Sequence, residues 1–417
     1  MSEIRKLSME ELDTFMTIAA NAYPRLGWDT PERWEQGRQR LQRLQEEDPT
    51  IAFYGLFRQG KLLGGMRMHD FVMNLFGELT PVGGVGMVAV DLLHKKRHVA
   101  KDLIEFFLYH YRERGATLAL LYPFRPDFYR KMGFGYGTKK SRYCLLPQAF
   151  PRGGGHTQLR FLDKASIPAL LDCYMRYTSR THGMITRTEK NFRRLLDSSG
   201  LRVVGYVVDE KIRGYLAFTF KAASEDNFIH NNLHVVELVY EEREVLAELL
   251  AFLGAQLDQV NRVVIDTFDD AFHHLFWDPR NGNPALIPSV YHETNVQGVG
   301  LMYRVLDLQR LFESLSHRNF GGQTLRLQIN LRDTFLPENA GSLGVHFIQG
   351  KAGVVEGGDH DVAISLDVAS LSSLVVGAAR FRQLYTYGLI DLSDPSYLGR
   401  LDRLFAVSEK PVCMTSF

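Results

Sequence analysis

The sequence predicts a mixed α/β (α+β) protein of several domains. Three observations predict it. Apolar spacing switches between helical and strand periods along the chain, a strand, helix and strand in succession near residues 85–124 suit a parallel crossover, and the same order of elements restarts after residue 156. At 417 residues, two to four domains of roughly 150 residues each are expected.

In the first segment Leu7, Leu12, Phe15, Ile18 and Ala19 recur at helical spacing. A second helix is expected to open at Asp29, with Pro31 in its first turn and Glu32 completing a capping box. IAFYGLF (51–57) and KLLGGMRMHDFVM (61–73) flank Gln59 and Gly60, a hairpin signal, and VGMVAVDL (85–92) reads as a third strand. Leu103, Phe106, Phe107 and His110 mark a helix from Val99 that stops near Gly115, before the strand TLALLYPF (117–124). A short helix at 127–132 and a strand pair over 134–146 complete this segment.

PRGGGH (151–156) has linker composition. After it come the strand TQLRFL, a helix over 167–180, strands RVVGYVVD, IRGYLAFTF and HVVELVY, a helix over 243–257 and the strand RVVIDTF, a degenerate repeat of the first layout. A third segment begins with a helix near Leu308. It continues through LRLQINLRD, GVHFIQ, AGVVEG and VAISLDV to helices near Ser370 and Tyr397.

Lys plus Arg total 49 and Asp plus Glu 48, so no global field attracts nucleic acid or an anionic membrane, and any anion site must be local. Cys144, Cys173 and Cys413 are too few and too scattered for a disulfide framework or a zinc cluster. The charged start MSEIRKLSMEEL is unlike a signal peptide, and no apolar run of about 18 residues occurs. A cytoplasmic protein with no membrane or nucleic-acid partner is expected.

The stretch GMVAVDLLHKKRHVAKDLIEFFL (86–108) leads a strand through a basic loop into a helix. The unpaired amides of that helix's first turn, with Lys95, Lys96, Arg97 and Lys101, suit a pyrophosphate. A solvated basic turn before an ordinary helix is the equal alternative. In LYPFRPDFYRKMGFGYG (121–137), Tyr129 stands at a strand mouth, where a proton donor is one reading and an interfacial aromatic with its hydroxyl in water, the common fate of a tyrosine on a short helix, the favoured one.

Together these stretches resemble the GNAT superfamily of acyl-CoA-dependent N-acetyltransferases: Lys95, Lys96, Arg97, His98, Val99 and Ala100 follow its phosphate-loop motif, and FYRKMGF its tyrosine motif. His98 departs from the motif, occupying a glycine position; an ordinary φ would still let it present its amide. With a decayed second lobe, a last domain like the sterol carrier protein type two fold, and a chain ending at Phe417, the whole sequence is similar to the enhanced intracellular survival (Eis) family. The resemblance implies tandem GNAT-type lobes over 1–150 and 151–306 and a sterol-carrier-like domain over 307–417.

It further implies an acetyl-CoA-dependent N-acetyltransferase acting on a primary amine of a small polyamine, an aminoglycoside-like compound or a protein lysine. The Phe417 carboxylate is the candidate base, and Tyr129 protonates the departing thiolate. A chain-terminal carboxyl has a pKa of roughly 3.5, so burial beside apolar groups is expected to raise it. Main-chain groups of Val88, Ala89 and Val90 pair with the pantetheine arm, the Val88 amide polarising the thioester carbonyl. Lys96, Arg97, His98, Val99, Ala100 and Lys101 hold the pyrophosphate, with Phe124 and Arg125 lining the other side. A homo-oligomer, a hexamer by the family's precedent, is implied. The rival is a noncatalytic lipid- or partner-binding protein that keeps only the fold.

Other features are assigned less. His230, His234, His273 and His274 lack carboxylate or cysteine companions, so no metal is expected. GGVG (83–86) reads as a bend, GGDHD (357–361) as a turn, and Asp29 as a helix cap that could also attract a cationic substrate beside Tyr23 and Trp28. VELVYEEREVL (236–246) puts acids where a phosphate loop needs cations, so one active site per chain is expected.

Overall fold

The computed structural model describes residues 2–153, 155, 157–283, 286, 287 and 290–417. They form two compact units: the chain up to Gly137 with Leu301–Pro411 and Thr415–Phe417, and Thr138–Gly300 with Val412–Met414. Among the described residues no helix is long and apolar enough to cross a membrane.

The first unit opens with β1 (Ser2–Lys6), α1 (Met9–Ala22), α2 (Pro31–Glu47), β2 (Ile51–Arg58), β3 (Lys61–Leu75) and β4 (Glu78–Val90). There follow α3 (Val99–Glu113), β5 (Leu118–Leu121), α4 (Pro126–Arg130) and β6 (Gly135–Tyr136). Ser8 and Glu11 close a capping box on α1. The cap of α2 is Thr30, whose hydroxyl accepts from the Arg33 amide, and Asp29 instead pairs with the Arg33 side chain at 3.0 Å. The sequence reading was one residue early because either side chain can cap and only backbone direction chooses between them.

Gln59 and Gly60 turn the β2–β3 hairpin with φ of 52° and 74°, the left-handed pair such a turn needs. GGVG is not a bend. It lies within β4, where Gly83 and Gly84 leave room for the rings of Tyr111 and Phe71. α1 and α2 cover one face of the sheet, over Phe53 and Ala89, and α3 covers the other, over Val85 and Leu121. β4 and β5 are parallel, as a crossover through α3 requires.

The second unit holds β7 (Lys140–Leu145), β8 (Leu159–Leu162), α5 (Ile167–Arg180), α6 (Glu189–Leu196), β9 (Arg202–Val208) and β10 (Lys211–Ala222). It continues with β11 (Asn231–Tyr240), α7 (Arg243–Gly254), β12 (Val260–Thr267), β13 (Leu286–Ile287), β14 (Tyr291–His292) and β15 (Asn295–Gly298). Its main sheet runs β15-β7-β12-β11-β10-β9-β8. The succession β8 to β12 repeats β1 to β5, including the parallel pair β11–β12.

The expected strand pair over 134–146 does not form. β6 joins the first sheet and β7 the second, where Tyr143 and Leu145 pack among Phe272 and Phe276. Alternation predicts a strand but not which sheet takes it. The first sheet, β1-β2-β3-β4-β5-β16-β6, is completed by β16 (Met302–Val305).

Beyond β16 lie α8 (Leu308–Ser314), β17 (Leu325–Arg332), β18 (Gly341–Ile348), β19 (Lys351–Val355), β20 (Val362–Asp367), α9 (Val368–Val375), α10 (Phe381–Thr386), β21 (Ile390–Leu392) and α11 (Leu398–Leu404). The strands form a sheet in the order β19-β18-β17-β20-β21. Leu325, Leu327, Ile329 and Leu331 alternate inward on β17. Arg304 of β16 and Asp333, both with fully buried side chains, pair at 2.9 Å, and Asp333 also accepts from the Phe335 and Leu336 amides and from Asn339. Such a pair costs desolvation on both sides; the Asp333 oxygens are filled, whereas Arg304 Nε and Nη1 are buried without a hydrogen-bond partner among the described residues.

Candidate active site

The site begins with an irregularity in β4. Across the β3–β4 ladder Ala89 faces Gly65 and Gly86 faces Arg67, so Met87 and Val88 together oppose Met66, and Met87 takes a left-handed φ of 49°. That is a β-bulge, which increases local twist and turns the strand away from its neighbour. Pairing of β4 with β5 runs from Val82 with Leu118 to Val85 with Leu121 and stops, whereas β4 continues to Val90. Residues 86–90 therefore have an edge that β5 does not pair, the kind of edge an extended ligand arm can join. Val88, Ala89 and Val90 lie on it. The Val88 carbonyl accepts from the Tyr23 hydroxyl at 2.6 Å.

Past β4, the Asp91 carboxylate accepts from the Leu93 amide at 2.9 Å and fixes the start of the basic loop. Arg58 donates to the Arg97 carbonyl at 3.1 Å and to Asp102 at 2.9 Å, tying the loop to the helix. Lys96, Arg97, His98 and Lys101 are exposed, while Val99 is buried and Ala100 half-buried. The first helical bond runs from the Asp102 amide to the His98 carbonyl, which leaves the amides of Val99, Ala100 and Lys101 without intrahelical acceptors.

His98 does not have an ordinary φ. It caps α3 at φ 61° and ψ 8°, the left-handed conformation that the motif's glycine would adopt freely. Histidine enters this region more readily than most residues, so the amide geometry survives the substitution.

Tyr129 sits in the one-turn helix after β5 and is 3% exposed. Phe124, Phe128 and Phe134 surround its ring at centroid distances of 5.9, 5.2 and 6.0 Å. Burial, with a smaller contribution from Tyr23, pushes its phenol well above the ordinary value, so it is a proton donor throughout the neutral range. Phe124 is 59% exposed and stands edge-on to both Tyr23 and Tyr129. Arg125 points its charge to Asp127, two residues on, at 2.6 Å.

The chain end reaches the bulge. A Cβ at Gly86 would stand 3.0 Å from the Phe417 carboxyl carbon and 3.5 Å from Arg67 Nη2, so glycine is what admits the terminus. The Phe417 ring lies against Phe71, Tyr122 and His69 at 4.9, 5.1 and 5.5 Å. The Tyr122 hydroxyl donates to the Thr415 carbonyl at 3.1 Å. Arg67 Nε donates to His69 Nε2 at 2.9 Å. The surroundings of the carboxylate are thus aromatic on one side and cationic on the other, not simply apolar. Within the second unit, Val412 donates to the His182 carbonyl at 2.8 Å and Arg187 to the Met414 carbonyl at 3.3 Å.

Gly86, Arg67, His69 and Tyr122 were not singled out from sequence, and Tyr23 was noticed for another reason. The glycine-rich run 83–86 was the one available signal, since repeated loss of Cβ in a strand marks close approach. In the second unit the place of the basic loop is taken by Glu241 and Glu242, held by Arg176 at 2.6 Å and Arg213 at 2.5 Å respectively. Among the described residues no three His, Cys, Asp or Glu side chains gather as metal ligands.

Comparison with known proteins agrees with this layout. Acetyltransferase (GNAT) domains match residues 3–137 and 183–305, and a sterol carrier protein domain matches 310–414. No curated protein matches the sequence. Among solved structures, a GCN5-related N-acetyltransferase from Anabaena variabilis is similar over 100% of both chains, with 19% identity and a TM-score of 0.83. One from Kribbella flavida is similar over 100% of this chain and 98% of its own, at 17% identity and a TM-score of 0.80. Eis1 from Mycobacterium abscessus is similar over 100% of both chains at 23% identity and a TM-score of 0.77. With two acetyltransferase (GNAT) domains and a sterol carrier protein domain after them, the chain is a GNAT-type acetyltransferase, an enzyme of acyl transfer.

Proposed function

We propose that the enzyme moves an acetyl group from acetyl-CoA to a primary amine, on a small polyamine, an aminoglycoside-like compound or a protein lysine. The observation that carries this reading is the meeting of the chain-terminal carboxylate with Gly86, at the bulge from which the unpaired edge of β4 starts. An alkylamine has a pKa of about 10.4 and is mostly protonated at neutral pH, so its lone pair must be freed before it attacks. The Phe417 carboxylate takes that proton. As the amine nitrogen bonds to the thioester carbonyl carbon and the carbon–sulfur bond breaks, Tyr129 gives its proton to the sulfur. The Val88 amide polarises the carbonyl, and residues 88–90 align the donor's arm. Lys96, Arg97 and Lys101, with the free amides that begin α3, hold the pyrophosphate, and Phe124 flanks the arm.

A thiol-release assay with acetyl-CoA and a panel of polyamines, aminoglycosides and lysine peptides tests this, run beside propionyl-CoA. Amine-dependent thiol release is expected, faster with the acetyl donor. Release that no amine stimulates would refute the acceptor class.

The left-handed His98 gives a second test. Glycine there removes a conformational cost of roughly 1–2 kcal/mol, partly offset by its greater freedom in the unfolded chain. His98→Gly is therefore expected to melt no lower than the parent. It should bind acetyl-CoA within about threefold of the parent in calorimetric titration, or about 0.7 kcal/mol. A larger loss would mean that the imidazole itself contacts the donor.

A further inference from the structure

The one-turn helix that carries Tyr129 is too short to be stable by itself, so something else must fix it. Three aromatic rings hold the tyrosine ring in place laterally. The backbone is held elsewhere. Arg130, the next residue, donates from Nη1 to Asp367 Oδ1 at 3.1 Å and from Nη2 to Asp367 Oδ2 at 3.3 Å and to Ser370 Oγ at 3.1 Å. Asp367 is the N-cap of α9 and accepts the Ser370 amide at 2.6 Å, and every residue of α9 is buried. A two-pronged guanidinium–carboxylate contact fixes direction as well as distance.

The rest of the turn meets the same support. The Tyr129 carbonyl accepts the amides of Met132 and Phe134, which folds the turn back on itself. At the bend, Gly133 has φ 86°, and a Cβ there would overlap the buried Arg304 guanidinium. A Cβ on Gly135 would overlap the Ala369 carbonyl of α9. The segment FYRKMGFG is thus moulded on α9 and on the Arg304–Asp333 pair.

We propose that Arg130 is a positioning residue through which the sterol-carrier-type domain, by way of Asp367 and Ser370 at the start of α9, sets the place of Tyr129 for acyl transfer. This assigns the third domain a part in the reaction that requires no ligand of its own. It rests on the reading of Tyr129 as the proton donor.

The test is a double-mutant cycle on the full chain, Arg130→Gln and Tyr129→Phe singly and together, with Asp367→Asn as a second variant that keeps the α9 cap. Arg130→Gln and Asp367→Asn are each expected to lower kcat roughly tenfold, less than the 10²-fold that a misplacement of about 1 Å can cost. KM for acetyl-CoA and the melting midpoint should be nearly unchanged, and Arg130→Lys should recover part of the loss. In the Tyr129→Phe background, Arg130→Gln should cost nothing further. An equal fall in both backgrounds, or an unchanged kcat, would overturn the proposal. Full turnover in Tyr129→Phe alone would instead remove Tyr129 as the donor, and the proposal with it.

Discussion

Appending a few residues after Phe417 is expected to lower acyl transfer by the roughly 10²- to 10⁴-fold attributed to a positioned general base, with folding intact. The task is assigned to the main-chain carboxylate of Phe417 and to no side chain. An extension carries the charge away from Gly86 and forces extra atoms into a gap that a single Cβ would already crowd. Deleting Phe417 instead shortens the reach by about 3.5 Å and removes the ring that packs on Phe71 and Tyr122. Both variants keep Val412 bound to the His182 carbonyl, so the tail should stay docked. Thermal melting and acetyl-CoA titration are the controls, and both should match the parent. Full activity in a C-terminally tagged protein would contradict the mechanism and send the search for the base to internal groups, His69 first.

Tyr129→Phe is expected to reduce kcat by a similar 10²- to 10⁴-fold while acetyl-CoA affinity holds. The phenol is buried among three phenylalanines, so removing its oxygen leaves packing almost unchanged and isolates the proton. The direction of its pKa adds a pH condition. Burial raises it above the ordinary value of about 10, so the protonated, donating form persists to higher pH than in a free tyrosine. No loss of rate from Tyr129 ionisation is therefore expected below about pH 10. A kcat that falls along an alkaline limb near neutrality in the parent and not in Tyr129→Phe would contradict this assignment, as would retained turnover in the variant.

Much of the architecture was legible locally. The helix through Leu12, Phe15 and Ile18, the Gln59–Gly60 hairpin, the crossover through α3 and the restarted order of elements after 156 are each written in a few neighbouring residues, where spacing and backbone preference act without help. The misreadings differ in source. Thr30 and Asp29 can both cap, and backbone direction over a few residues chooses Thr30; β6 and β7 are both strands, and which sheet receives each depends on β16 and β12, more than 100 residues away. GGVG was misread because missing Cβ atoms look alike in a bend and in a strand pressed by rings.

For the candidate site, the sequence by itself marked the basic loop before a helix, whose cations and unpaired amides lie in one contiguous run, while the roles of Tyr129 and the Phe417 carboxylate came only with the resemblance to a family. Only the tertiary structure decided that β4 bulges at Met87 and parts from β5, and that His98 adopts the glycine's φ. It also brought Arg67, His69 and Tyr122 around Phe417, and Asp367 to Arg130, from strands and caps with no local peculiarity. The physical reason is that a local preference fixes the conformation of a few residues, whereas a site is a set of distances between residues far apart in the chain. Those distances are set by the packing of whole elements against one another, and no window of sequence contains them.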